Sequence, residues 1–238
     1  KAFLRMKLSS WNKAIYNSKF TKDIIERGWP IKGEVVYPPV DVEKIKVLDK
    51  KKQILSVGRF VSFSKSKKHE EMIEAFTNLY KDGLTKGWSL HLAGSVEGDD
   101  GYLDELQDNA KGLPVTFYPN CSFDELVKLY GESSIYWHAA GFGEEDPAKM
   151  EHFGITTVEA MAGGCVPVVI NKGGQPEIVE NKSCGFLWDD LGELRNKTLQ
   201  LIKDDQLRKE MSKKAIKRSS LFSKANFELK ILNLIKNS

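Results

Sequence analysis

Five carboxylates, Glu144, Glu145, Asp146, Glu151 and Glu159, lie between Ala139 and the apolar run Val166–Ile170. A carboxylate only accepts hydrogen bonds, so such a group suits either open water or a ligand rich in hydroxyls. Glu151 falls in a loop before Gly154, and Glu159 falls one turn inside a helix that the pattern starts near Ile155. The first N–H groups of that helix, from about Gly154 to Thr157, lack intrahelical acceptors, and together with the helix dipole they favour an anion. Two carboxylates beside a bare phosphate repel it. They make sense if each accepts from sugar hydroxyls on either side of the phosphates.

A second strand end carries the opposite charge. Gly58 closes the apolar run Gln53–Gly58, Arg59 follows, and Lys65, Lys67 and Lys68 precede a helical pattern. Cations converging there can neutralise a diphosphate, each charge-assisted hydrogen bond contributing about 1.5–3 kcal/mol. The competing reading is a basic loop in solvent. No G-x-G-x-x-G joins this strand to its helix, so the dinucleotide fingerprint is absent. At a third strand end Gly94 permits close backbone approach, a weaker signal. His138 ends its strand and reads either as a packed histidine or as a site residue. Trp88, Trp137 and Trp188 read as core, and the "GEEDP" loop as solvated or in contact with ligand.

The elements needed to hold these loops are legible in the pattern. Strands are expected at Gln53–Gly58, Trp88–Gly94, Pro114–Tyr118, Ser134–Ala139, Val166–Ile170 and Gly185–Trp188. Helical patterns alternate with them near Lys68–Asp82, Tyr102–Ala110, Ser122–Gly131, Ile155–Ala162 and Pro176–Glu180. This alternation predicts an α/β fold, a Rossmann-like parallel sheet with helices on both faces, which binds ligands at the carboxyl ends of its strands. Three basic amphipathic helices follow, near Asp189–Lys203, Asp205–Leu221 and Lys224–Lys236, and read as solvated faces. Upstream, a short strand at Ala14–Asn17 and a helix from near Thr21 precede "GEVVYPPVD", where Pro38 and Pro39 enforce an extended linker.

Composition excludes several classes. The 238 residues are 41% apolar and 29% charged, as in ordinary globular chains. A net charge of +3 does not by itself argue for nucleic acid. Cys121, Cys165 and Cys184 are odd in number and lack ligand-like spacing, so neither a disulfide framework nor a zinc site is expected, and a reducing compartment is. No apolar run approaches the roughly 20 residues of a spanning helix, and no secretory signal pattern opens the chain. The first residue is lysine, so a piece of a longer protein is expected.

The stretch "EHFGITTVEAMAGGCVPVVINKGGQPEIV" resembles the E-x7-E region of retaining nucleotide-sugar glycosyltransferases of family 4 (group 1), which have the two-domain GT-B architecture. "NSKFT" with "VVYPPVD" resembles the end of that family's first domain and its interdomain linker. "ILSVGRF…KKHEEMIEAF" resembles its phosphate-binding segment, and "SLHLAGS" and "VTFYPNCSFDELVKLYGESSIYWHAA" follow in family order. The likeness covers nearly the whole chain.

The resemblance implies residues 1–35 as a remnant of an amino-terminal acceptor domain with linker, 36–222 as a nucleotide-sugar-binding domain, and 223–238 as a carboxyl-terminal crossover helix. Phe227, Leu229, Ile231 and Leu234 of that helix would expose an apolar patch without the first domain. It further implies that Arg59 and Lys67 stabilise the leaving diphosphate and that Glu151 holds donor-sugar hydroxyls. Phe153, Gly154, Ile155 and Thr156 would offer backbone amides, and Glu159 would bind the ribose. Tyr118 and Asn120 lie in a loop near the base, and Gly58, Gly94 and His138 complete the donor set. The Arg-to-Lys segment looks longer than the common form: anchoring on the "MIEAF" helix selects Lys67, counting from Arg59 selects Lys65, and Lys68 adjoins both.

The implied reaction is retaining transfer from a GDP- or UDP-sugar to a glycan or lipid-linked acceptor. A separate acceptor-binding chain or the missing amino-terminal domain would be the partner. No Asp-x-Asp occurs in the candidate site, so neither metal nor further cofactor is expected. Nucleic acid is not expected as a partner, and the location implied is cytoplasmic, at most peripheral at the inner membrane surface. Rival readings are a nucleotide-sugar epimerase, which would be expected to lack the E-x7-E pair, a non-catalytic nucleotide-sugar-binding subunit, and a nucleic-acid module on the basic helices.

Overall fold

The computed structural model describes residues 13–62, 65–96, 98 and 101–236. Its centre is a six-stranded sheet, all parallel, built from β3 (Lys51–Val57), β4 (Ser89–Gly94), β5 (Val115–Pro119), β6 (Ser133–His138), β7 (Val166–Ile170) and β8 (Phe186–Trp188). Every residue of β6 and β7 is buried. That is why their sequences, "SSIYWH" and "VPVVI", run without the polar alternation of a half-solvated strand.

Successive side chains supply opposite faces. On one face Ile54, Leu92, Trp137 and Val168 pack against α2 (His69–Lys81), α3 (Tyr102–Asn109) and α7 (Leu191–Lys203). On the other, Leu55, Ala93, Tyr136 and Val169 pack against α4 (Phe123–Glu132), α5 (Ile155–Ala162) and α8 (Asp205–Ser219). Trp88, Trp137 and Trp188 are all core residues.

The strand order is β5-β4-β3-β6-β7-β8. The chain therefore builds outward from β3 in one direction, returns, and builds from β6 in the other. β3 and β6 are neighbours, with Leu55 opposite Tyr136. Their carboxyl ends form the point where the order reverses, and a crevice opens there because the loops on the two sides leave in opposite directions.

A small parallel pair, β1 (Ala14–Tyr16) and β2 (Gly33–Val35), brackets α1 (Lys19–Gly28). This helix starts before the expected Thr21, because Ser18 is the cap and its Oγ accepts from Thr21 N at 3.0 Å. Its first two N–H groups, Lys19 and Phe20, both donate to the Glu177 carboxylate at 2.7 Å, which fastens the segment to the sheet body. Tyr37 then packs on Phe153 and Phe222. The last helix, α9 (Lys224–Lys236), returns to the beginning of the described chain, where Lys13 Nζ donates to Leu234 O at 3.1 Å. Its apolar exposure differs from expectation. Leu229, Leu232 and Ile235 are open, at 58%, 53% and 66%, whereas Phe227, Ile231 and Leu234 are partly covered by the face that docks. No helix among the described residues is long and apolar enough to cross a membrane.

Candidate functional site

Two adjoining clefts occupy the order-reversal point. The first, of about 400 Å³, is lined by Val57, Gly58, Arg59, Lys67, Gly94, Ser95, Asn120, Cys121, Leu126, Glu151, Ile155 and Thr156. The second, of about 560 Å³, shares Arg59, Lys67 and Glu151 with it and continues to Glu144, Lys149, Met150 and His152. Eight residues singled out in the sequence thus line one cavity, namely Gly58, Arg59, Lys67, Gly94, Asn120, Glu151, Ile155 and Thr156.

The three lysines take different positions. Lys67 lines both clefts, and its stem crosses Gly58, where a Cβ would lie 2.8 Å from Lys67 Cγ. Lys65 Nζ turns away to Glu70 at 2.7 Å, and Lys68 Nζ pairs with Glu144 at 2.8 Å. Gly94 also has a steric reason, because a Cβ there would meet the Gly58 carbonyl oxygen at 2.0 Å. The close approach it permits is that of two strand ends.

Opposite the cations stands the amino end of α5. Gly154 is its cap at φ 122°, a conformation open to glycine and strained for other residues. Beneath the helix is a buried polar support. Tyr136 Oη donates to Thr156 Oγ1 at 2.7 Å, and Thr157 Oγ1 donates to Gln175 Oε1 at 2.9 Å. These bonds fix the first turn, whose Ile155 and Thr156 line the cleft, and the free N–H groups of a helix's first turn favour an anion.

Glu151 and Lys67 join the two walls, Oε2 to Nζ at 2.8 Å. His138 Nε2 lies 3.5 Å from the same oxygen. Burial pushes the Glu151 carboxyl up, but His138 and Lys67 beside it outweigh that, and the net direction is well below the usual carboxylate range. Burial also holds His138 in its neutral form. His138 and Lys67 together hold Glu151 ionised, and only Lys67 is within full hydrogen-bond distance. A second brace lies alongside: Glu144 is gripped by Lys68 and, at 3.6 Å, by Lys149, while Lys172 Nζ donates to its backbone oxygen at 2.8 Å. Of the acidic loop, Glu144 is thus a tether rather than a solvated charge, and Asp146 Oδ1 accepts from Ala148 N at 2.9 Å.

The remaining predicted residues lie behind or beside this cavity. Glu159 is not among the residues lining either cleft; its Oε2 accepts from Tyr130 Oη at 2.8 Å, and burial raises its pKa. Tyr118 donates or accepts through its hydroxyl with His91 Nδ1 at 2.9 Å and stacks on that ring, away from the lining set. Phe153 packs its ring into the core with Tyr37 and Phe222, so only its backbone can serve a ligand. His138 is 3% exposed and lies under Glu151 rather than in the wall. Asn120, in a left-handed turn at φ 52°, uses Oδ1 to accept from Val96 N at 2.9 Å and so ties two strand-end loops together.

Sequence reasoning did not single out Ser95, Leu126 or the Lys68–Glu144 brace. Ser95 follows the strand-ending glycine, which was an available signal. Leu126 depends on which side of α4 faces the sheet. Among the described residues no three His, Cys, Asp or Glu side chains converge as metal ligands, and the three cysteines are free.

A cation pair facing a helix amino end and a carboxylate, across a strand-order reversal, has the chemistry to take an anionic, hydroxyl-rich ligand. Known proteins agree with this architecture. A family described as "Glycosyl transferases group 1" matches residues 39–218. A Dictyostelium discoideum protein named GDP-Man:Man(3)GlcNAc(2)-PP-Dol alpha-1,2-mannosyltransferase is 30% identical over 221 residues, covering 85% of this chain and 42% of its own length. The Homo sapiens protein of that name is 30% identical over 244 residues, covering 92% and 47%. The chain thus spans less than half the length of these curated relatives. In fold, it is similar to the crystal structure of Anabaena Alr3699/HepE in complex with UDP, at TM-score 0.82 and 21% identity, covering 98% of this chain and 66% of that one. The sheet, the cleft at its reversal point and the matched residues together place the chain in the group 1 glycosyl transferase family.

Proposed function

We propose that this chain is the donor-binding half of a glycosyltransferase, holding a nucleoside diphosphate sugar across the β3–β6 reversal point. The observation that carries the reading is the meeting of Arg59 and Lys67 on one wall with Glu151 and the α5 amino end on the other. The diphosphate lies between the cations and the α5 amides. Glu151 accepts from sugar hydroxyls. The nucleoside extends toward Gly94, Asn120 and Leu126. Glu159 takes the ribose through the carboxylate oxygen not engaged by Tyr130, after a local shift toward the cleft.

As the glycosidic bond breaks, negative charge grows on the departing phosphate. Preset donors aimed at that charge stabilise the transition state, and loss of one such donor costs about 10²–10³ in rate. Arg59, Lys67 and the helix amides supply this without a divalent metal or further cofactor. The family likeness supports retention of anomeric configuration, and the relatives' names support GDP-mannose as donor and a lipid-linked glycan as acceptor. The acceptor surface comes from a partner half, in keeping with the length of the relatives that lies outside the match.

Calorimetry and thermal-shift measurements with GDP, UDP, GDP-mannose and UDP-glucose, with and without EDTA, test this reading. Binding unaffected by EDTA is expected, with GDP-mannose preferred. Binding that vanishes in EDTA overturns the metal-free element, and failure to bind any of the four ligands overturns the whole.

A further inference from the structure

The Glu151 carboxylate has two suitors for one oxygen. Lys67 Nζ holds Oε2 at 2.8 Å, a full charge-assisted hydrogen bond, while His138 Nε2 stands off at 3.5 Å. His138 is 3% exposed, and neither of its ring nitrogens has a hydrogen-bond partner among the described residues. An unpartnered buried polar group costs about 1–3 kcal/mol, so its presence calls for an occupant that arrives in another state of the site. Being neutral, the ring has one N–H to donate.

Lys67 is contested as well. The ammonium that pairs with Glu151 is the one that lines both clefts and faces the diphosphate seat. A diphosphate carries more charge than one carboxylate and draws Lys67 to itself. Glu151, with 24% of its side chain exposed, is then left needing donors. Two kinds are within reach: the His138 N–H beneath it and sugar hydroxyls above it.

Resting on the sugar-nucleotide reading of this cleft, we propose that His138 is a positioning residue that takes over Glu151 Oε2 when the diphosphate draws Lys67 away. The exchange leaves the other carboxylate oxygen for the sugar. It also makes the site favour an intact sugar nucleotide over the spent nucleoside diphosphate. Once the sugar has left, Glu151 loses its hydroxyl donors and competes again for Lys67, loosening the grip on the product.

The test is calorimetry with GDP and GDP-mannose, and with UDP and UDP-glucose, on the wild type and on His138→Phe, His138→Gln and Glu151→Gln. His138→Phe is expected to weaken the sugar nucleotide about tenfold and the nucleoside diphosphate by no more than about twofold, the loss of one hydrogen bond being felt only when Lys67 has moved. His138→Gln, whose amide reaches the Nε2 position, is expected to restore most of the difference. Glu151→Gln releases Lys67 and is expected to tighten the nucleoside diphosphate about fivefold while weakening its sugar conjugate. Equal weakening of both ligands by His138→Phe overturns the exchange, because that is the signature of mere packing. So does a Glu151→Gln protein that binds the nucleoside diphosphate no better than wild type, and this arm decides alone if His138→Phe fails to fold. A wild type that binds none of the four ligands overturns the underlying reading instead.

Discussion

Glu151 and Glu159 belong to one motif, yet the loop before α5 and the first turn inside it give them opposite surroundings. Glu151 lies against Lys67 and stays ionised far into acid. Among the described residues no cation acts on Glu159; burial, and then the nearby charge of Asp41, push its carboxyl up, although the Tyr130 hydroxyl works against this. The break at Gly154 puts Glu151 in the loop and Glu159 in the helix, and their different neighbours produce the difference. Two like residues of one motif are thus prepared differently, one with its carboxyl pKa pulled down and one with it pushed up.

The largest expected effect breaks the charged side of this comparison. Lys67→Ala should lower affinity for GDP-mannose about 10- to 100-fold, the loss of one charge-assisted hydrogen bond, whereas Lys65→Ala should change it less than about twofold. Calorimetry that finds the two lysines equal would mean that Lys67 is not the diphosphate ligand.

Next comes the break itself. Gly154→Ala puts a Cβ 2.5 Å from Gln175 Nε2 at φ 122°. Strain of this kind costs about 1–3 kcal/mol, and a chain of this size loses roughly 2–4 °C of Tm for each of them. Thermal denaturation should therefore show a drop of several degrees, and an unchanged Tm would show that the separation of the two glutamates does not depend on glycine.

The smallest effects sharpen the comparison by sign. A lowered folded-state pKa gives stability that is present above the unfolded-state value and lost as pH falls through the folded one. Glu151→Gln should therefore lower Tm at pH 7, and the deficit should persist at pH 4.5, where wild-type Glu151 is still charged. A raised carboxyl pKa works the other way, its relative stability being greatest below the unfolded-state value and lost as pH rises through the folded one. Glu159→Gln should raise Tm slightly at pH 7, the gain closing as pH falls toward 4.5 and wild-type Glu159 takes up its proton. Calorimetric melts across pH 4–8 decide this; shifts of the same sign in both variants would erase the distinction.

Most of the frame was open to reading because it is local. "VPVVI" is buried on both faces and "QILSV" nearly so, and their apolar runs mark strands wherever they pair. That β3 sits beside β6 is not local, and only this pairing brings Arg59 to Glu151. The ambiguity between Lys65 and Lys67 had the same origin, since counting along a loop cannot reveal that one lysine stem crosses Gly58. Glu159 was placed on the right turn of α5, but its engagement with Tyr130 depends on how α4 packs. On α9 the helical period was correct while the docking face was misjudged, so Leu232 and Ile235 were missed as exposed and Phe227 was overcounted. The unpartnered nitrogens of His138 leave no trace in sequence.

At the amino ends of the central strands Lys50 precedes β3, and its ammonium is held by Tyr130 O at 3.2 Å, Ser133 O at 2.7 Å and Gly163 O at 2.5 Å. These carbonyls close the carboxyl ends of α4 and α5, so a fixed cation plugs the negative pole of the same eight-residue helix whose positive pole faces the cleft. At about 1.5 Å per residue the two poles are roughly 12 Å apart, more than the roughly 8 Å Debye length of physiological salt, but most of the helix is buried, where screening by salt is much weaker. The helix works as a short polarised rod with one terminal grounded. The potential at the cleft end of α5 is thereby tied to Lys50, a residue outside both clefts, so it can be altered while every side chain lining them stays in place.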